Sequence, residues 1–85
     1  MKLFYTSKFA REYKKLNTEI QDLVDGKIEI FRESSFSSKL RTHKLHGSLA
    51  NYYAFSVTSK IRIIFRYGEK GEAYLHSVGD HGIYE

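Results

Sequence analysis

The sequence contains no cysteine, which excludes disulfide bonds and thiolate metal ligands and leaves no sign of a secreted framework. It has no long apolar run; the longest is a few residues, against the roughly 20 that a membrane helix requires. The opening residues, Met1-Lys2-Leu3-Phe4-Tyr5, lack the apolar stretch of a signal peptide and pass directly into patterned sequence. A soluble cytoplasmic protein with no membrane partner is therefore expected. No repeat, linker or low-complexity segment divides the chain. Also missing are a GxSxG elbow, a Walker loop and a dinucleotide fingerprint, which sets aside the chemistries those motifs carry. With 85 residues the chain is read as a single domain, 1–85, able to bury one modest core.

What is present is positive charge, unevenly placed. Fourteen Lys and Arg against ten Asp and Glu give a net charge of +4. Glu19, Asp22, Asp25, Glu29 and Glu33 crowd one short stretch. From Lys39 to His46 there is no acid at all, but Lys39, Arg41, His43, Lys44 and His46 occur, and Arg62 and Arg66 follow. One part of the chain reads as a mixed, solvated surface and the other as a surface that meets a polyanion.

Hydrophobic spacing orders the elements. Lys2 to Tyr5 has β character. Thr6 or Ser7 is placed to cap a helix from about Lys8 to Leu16, with Phe9, Tyr13 and Leu16 on one side. Thr18 and Gln21 have capping-box spacing and open a second helix to about Arg32. Ile20, Leu23, Val24, Ile28 and Phe31 form its apolar stripe. After the polar Ser34–Ser38 connection the period changes to about 2. Asn51 to Val57, Ile61 to Tyr67 and Glu72 to Val78 read as strands joined by the turns Thr58-Ser59-Lys60 and Gly68-Glu69-Lys70-Gly71. The order is β-α-α-β-β-β. This is an α+β fold, a helical hairpin on one face of a small, mostly antiparallel four-stranded sheet. The expected core includes Phe4, Leu16, Leu23, Ile28, Ile63, Phe65 and Leu75.

The alternation of Ile61, Ile63, Phe65 and Tyr67 with Arg62, Ile64 and Arg66 aims both arginines away from the helices. The histidines His43, His46, His76 and His81 have no zinc-site spacing and no cysteine partner, so no metal is expected. Free histidine is suited to proton transfer near neutral pH. RNA cleavage through the 2′-hydroxyl needs a base for that hydroxyl, an acid for the leaving 5′-oxygen and a cation for the charged phosphorus centre. His43 and His81 suit the first two tasks and Arg62 the third, with Tyr84 stacking on a base or moving a proton. Lys39, Arg41, Lys44, His46, Lys60 and Arg66 are the expected phosphate contacts.

Three pieces in order resemble the RelE/ParE superfamily of toxins. They are Lys44-Leu45-His46-Gly47-Ser48-Leu49, then Arg62-Ile63-Ile64-Phe65-Arg66, then Val78-Gly79-Asp80-His81-Gly82-Ile83-Tyr84. Tyr53-Ala54-Phe55-Ser56-Val57 and the first strand and helices fit the same pattern, so the resemblance covers nearly the whole chain. Its ending is most similar to the YafQ branch, in which the positions of His43, His81 and Tyr84 belong to the active site. In the RelE branch the position of Arg62 contacts phosphate. The chain departs from the YafQ pattern in carrying Ser56 and Lys60 where that branch has a further histidine and an aspartate.

The resemblance implies the toxin of a type II toxin–antitoxin system. It would be a ribosome-dependent, metal-independent messenger-RNA endoribonuclease that needs no cofactor. Its partners would be a cognate antitoxin, mRNA on the ribosome, and operator DNA only through the antitoxin. Two other readings share the fold. One is a ParE-like toxin acting on gyrase, whose chains typically lack the His43 and His81 pair. The other is a non-catalytic basic RNA-binding module.

Overall fold

In a computed structural model, which describes residues 1–84, strand β1 (Lys2–Tyr5) turns at Thr6 into helix α1 (Ser7–Lys14). Thr6 is extended, and its Oγ1 accepts the Phe9 N–H at 3.0 Å while donating to the His76 carbonyl at 2.8 Å. One hydroxyl thus caps the helix and ties it to the far end of the sequence. Helix α2 (Thr18–Glu33) is capped by Asn17, not by the Thr18–Gln21 box. Asn17 Oδ1 accepts the Ile20 N–H at 2.9 Å, and the Gln21 side-chain amide donates to the Tyr13 carbonyl, also at 2.9 Å, joining the two helices. Asn is as good a cap as Thr, and it stands one residue earlier, where the chain is still extended.

Four further strands, β2 (His43–Lys44), β3 (Tyr53–Ser56), β4 (Arg62–Tyr67) and β5 (Glu72–Gly79), complete a five-stranded sheet in the order β1-β5-β4-β3-β2. β1 runs parallel to β5; the other pairs are antiparallel. The expected sheet had four strands. The fifth is part of the basic loop, which pairs His43 with Ala54 and Lys44 with Tyr53. It is anchored on either side by Ser56 N–H to the Leu40 carbonyl (2.7 Å) and Leu45 N–H to the Tyr52 carbonyl (2.9 Å). Two paired residues are too few to show a period in sequence, so only the backbone bonds reveal the strand.

The core lies between helices and sheet. Phe31 stacks on Phe55 at 4.8 Å and meets Phe65 edge-on at 4.6 Å, surrounded by Val24, Ile28, Leu40, Ile63 and Leu75. Burying each such large side chain contributes about 1.5–3 kcal/mol. Two expected core residues lie elsewhere. Leu23 is 47% exposed, because Val24, Ile28 and Phe31 set the buried line of α2 and Leu23 falls beside it. Phe4 is half-buried on the opposite side of the sheet, stacked on Tyr74 at 5.0 Å, its partner in register.

β4 keeps strict alternation, but β5 does not. Ile64 faces Ser77 and Phe65 faces Leu75, so His76 forms a bulge that brings both Leu75 and Val78 into the core. β1 spans only the first half of β5, and α1 covers the edge that remains. Glu12 Oε1 accepts the Val78 N–H at 3.0 Å, and the Thr6 N–H donates to the Leu75 carbonyl at 3.1 Å. Edge groups that a strand would have bonded are satisfied by a helix.

Candidate active site

At one end of the helix-free face, register puts Ser56, Arg62 and Gly79 in one row across β3, β4 and β5. Arg62 is half-buried. Its Nη1 donates to the carbonyls of Thr58 (2.6 Å) and Ile61 (3.4 Å) in the turn between β3 and β4. That turn is itself held by Thr58 Oγ1, which accepts the N–H groups of Lys60 and Ile61 at 3.1 and 3.0 Å. A rigid strand and a bonded turn therefore fix the guanidinium.

Past Gly79 the chain folds back in a short 3₁₀ turn, His81–Tyr84. Asp80 organises it: Oδ1 accepts the Gly82 N–H at 3.0 Å and its carbonyl accepts the Ile83 N–H at 3.1 Å. Gly79 makes the approach possible, because a Cβ there would stand 2.7 Å from Ile83 Cγ2. The turn brings the His81 and Tyr84 rings to 6.0 Å. Burial pushes the Tyr84 phenol above its ordinary value, while the nearby Arg62 charge pulls the other way. At neutral pH the phenol keeps its proton and is a hydrogen-bond donor beside Arg62.

His43 lies in the adjoining row with Ala54, Ile64 and Ser77, on the same face, two strands from β4 and so roughly 10 Å away. Its Nδ1 is 3.1 Å from the Arg41 carbonyl. A carbonyl only accepts, so Nδ1 is the donor in this contact and Nε2 is the nitrogen left to meet a ligand. Arg41 adopts φ 54, a left-handed conformation unusual for arginine, as it turns this carbonyl toward the ring.

The other expected contacts divide. Lys39 and Arg41 line a cleft of about 330 Å³ that Arg62 also lines. Lys60 sits exposed in the turn above Arg62, and His46 is exposed at the start of the Gly47–Leu49 turn. Lys44 is paired with Tyr53, whose ring packs on the core, so it faces the helix side, opposite to His43. Arg66 stands four residues from Arg62 at the far end of the open face, 4.2 Å over the Tyr74 ring.

Sequence reasoning passed over Lys27, named Gly79 without giving it a role, and set His76 aside from the chemistry. Lys27 reads as a solvated helix residue, yet it lines the cleft with Arg62. The Gly79 requirement exists only because Ile83 returns over it. His76 sits on the bulge, with Nδ1 2.6 Å from the hydroxyl of the fully buried Ser77 and its ring 5.1 Å from that of Tyr52. Burial, with Lys8 adding to it, holds the His76 imidazole below its ordinary range. A neutral histidine that satisfies a buried hydroxyl has a structural role here. Among the described residues, no three His, Cys, Asp or Glu side chains gather as a metal-holding group, and no helix is long and apolar enough to cross a membrane.

No family model and no curated protein matches the sequence. Solved structures do match the fold. The YoeB/ParE toxin from Agrobacterium tumefaciens superposes with a TM-score of 0.82 at 19% identity, over 95% of this chain and 99% of that one. This is the RelE/ParE toxin fold. YafQ from E. coli shares it at a TM-score of 0.80 and 13% identity, over 96% of this chain and 94% of that one. The RelB-RelE antitoxin-toxin complex from Methanococcus jannaschii gives 0.76 and 22%, over 95% and 94% of the two chains. In the RelE/ParE toxin fold as this chain builds it, Arg62 and the His81–Tyr84 turn lie at one end of the sheet, and His43 lies on the same face as Arg62, two strands from β4.

Proposed function

We propose that this chain is the toxin of a type II toxin–antitoxin pair and a metal-independent endoribonuclease that cleaves messenger RNA on the ribosome. The observation that carries this reading is geometric: Arg62 pairs in register with Gly79, the strand end from which the His81–Tyr84 turn springs, and that turn holds its two rings at 6.0 Å. In the reaction, His43 Nε2 takes the 2′-hydroxyl proton and the freed oxygen attacks the adjacent phosphorus. Arg62 draws the charge that builds on the non-bridging oxygens, and Tyr84 donates a hydrogen bond to it. The bond to the 5′-oxygen breaks and that oxygen takes a proton from His81. The products are a 2′,3′-cyclic phosphate and a 5′-hydroxyl end. The groups close on the substrate as it is drawn in across β3, since such hydrogen bonds tighten only in the bound complex.

A cognate antitoxin is the expected protein partner. Structural neighbours from E. coli and Staphylococcus aureus are toxins solved as the DinJ-YafQ and YoeB-YefM complexes. The net charge of +4 suits an acidic segment that folds on binding. Operator DNA is reached through the antitoxin only, and the pair acts in the cytoplasm.

The test is induced expression in a bacterial host, wild type beside a His81→Ala, Tyr84→Ala double variant, with growth and mRNA 5′ ends followed together. The reading stands if wild type arrests growth and creates new ends on translated messages while the folded variant does neither. Purified protein should keep cleaving programmed ribosomes when metal beyond the ribosome's own need is chelated. Arrest by both forms without new ends points to a ParE-like action on gyrase. No arrest by either points to a non-catalytic RNA-binding module.

A further inference from the structure

The cleft beside Arg62 is unlike the rest of the surface. Lys27 from α2, Lys39 and Arg41 from the basic loop, and Arg62 from β4 all line it, together with Thr58 and Ser59 of the turn, and no acid among the described residues does. The one ion pair among the described residues, Arg32 with Glu29, lies outside this cleft. Four cations sharing about 330 Å³ repel one another unless an anion joins them. The walls are nevertheless held in place. Lys27 Nζ donates to the Lys39 carbonyl at 3.3 Å, and Arg41 is kept in the left-handed region at φ 54. Strain and uncompensated charge gathered in one place mark a site whose ligand relieves them.

The donors define that ligand. The Thr58 hydroxyl accepts two backbone N–H groups and retains its own O–H to give. The two carbonyls on Arg62 occupy Nη1, leaving the remaining guanidinium N–H groups to donate. Short hydroxyls and cations converging on a small volume suit a phosphate, which offers several acceptor oxygens. An acidic peptide would in addition need apolar anchors, and the apolar lining residue, Val57, is buried.

We propose that this cleft is a second phosphate subsite, holding the RNA backbone phosphate next to the scissile one. Arg62 is shared between them, since it lines the cleft and pairs in register with Gly79, where the His81–Tyr84 turn begins. This rests on the endoribonuclease reading for the identity of the strand, but not for the existence of the anion site. Lys27 becomes a binding residue, and Arg41 contributes its side chain here and its carbonyl to His43.

The test is titration of inorganic phosphate, in chloride buffer, into isotope-labelled protein followed by NMR. Wild type is compared with a Lys27→Ala, Lys39→Ala variant and with Arg41→Gly, which favours the left-handed backbone and removes only the side chain. The expected result is saturable shifts at Arg41, Thr58 and Ser59, with each variant needing about tenfold more phosphate. Shifts that do not saturate, that the variants leave unchanged, or that spread equally over Lys8, Lys14 and Lys15 overturn the subsite. Saturation by an oligoglutamate peptide but not by phosphate overturns it in favour of a peptide site. On programmed ribosomes, Lys27→Ala should raise the KM for message and lower the salt slope of binding by about one. If wild type does not cleave while phosphate still saturates the cleft, the endoribonuclease reading fails and the anion site stands.

Discussion

Arg62 and Arg66 lie on the same strand and the same face, four residues apart, and they have different fates. Arg66 is exposed and lies over Tyr74 at 4.2 Å. Tyr74 stacks on Phe4 at 5.0 Å, and Lys2 covers Phe4 at 5.3 Å. Each ring of this row carries a cation over it, which competes with a nucleobase for the ring surface. Arg62 makes no cation–aromatic contact among the described residues; two turn carbonyls hold its guanidinium instead. One end of the face is a closed surface ladder and the other an open site. The middle is sealed by the fully buried row Ala54, Ile64 and Ser77. A residue's type and strand position do not assign its role; what stands beside it in register does.

The largest expected effect separates the two arginines directly. Arg62→Ala should lower cleavage of ribosome-bound message by about 10²–10³-fold, as loss of one transition-state donor does, while Arg66→Ala stays close to wild type. Equal losses in single-turnover cleavage would erase the distinction. Gly79→Ala should follow, at about 10²-fold, because its methyl group drives Ile83 and the His81–Tyr84 turn away from Arg62. Unchanged cleavage in this variant would mean that the turn does not position the site.

The middle of the face is read through stability. His76→Ala should cost about 1–3 kcal/mol in denaturant melts, since it strips the fully buried Ser77 hydroxyl of its partner. Adding Ser77→Ala should recover part of that loss, and a simple sum of the two would sink the pairing. His76 also sets a pH dependence. Its folded value lies below the unfolded 6.5, so the unfolded chain binds the proton more readily. Its contribution is complete above about pH 6.5 and is lost as pH falls from there through the folded value. The melting temperature of His76→Ala should therefore depend less on pH in this window. The smallest effect belongs to the ladder: Arg66→Ala should cost about 0.5–1 kcal/mol, the worth of an exposed cation–aromatic contact.

Much of the frame was legible because it rests on local patterns. The α2 stripe of Val24, Ile28 and Phe31, the Thr6 cap and the alternation through β4 each follow from spacing that neighbours in sequence enforce. The misplaced residues are those governed from afar. Phe4 left the core because β1 lies parallel to β5 and delivers its ring to Tyr74. Separately, the two paired residues of β2 put His43 and Lys44 on opposite faces, which the sequence left open. Arg62, His81 and Tyr84 were singled out by residue type and by the resemblance of the C-terminal pieces, and the strand register and the turn after Gly79 set them at one end of the sheet. Lys27 was not, since a lysine on a helix looks the same whether it faces water or a cleft.

The sequence by itself determined the element types, the buried line of α2, the outward aim of Arg62 and the concentration of cations in the second half of the chain. These depend on periods of 3.6 and 2 and on charge, which are properties of short segments. Tertiary structure alone decided that the basic loop becomes an edge strand, that a bulge at His76 shifts the faces of β5, and that Ile83 returns over Gly79. It also decided which carbonyl fixes the His43 proton and which helix lysine joins the cleft. The physical reason is that many of these contacts join residues far apart, 12 positions for Lys27 with Lys39 and 70 for Thr6 with His76, while the short-range ones, such as His43 with the Arg41 carbonyl, depend on backbone turns that no local period encodes.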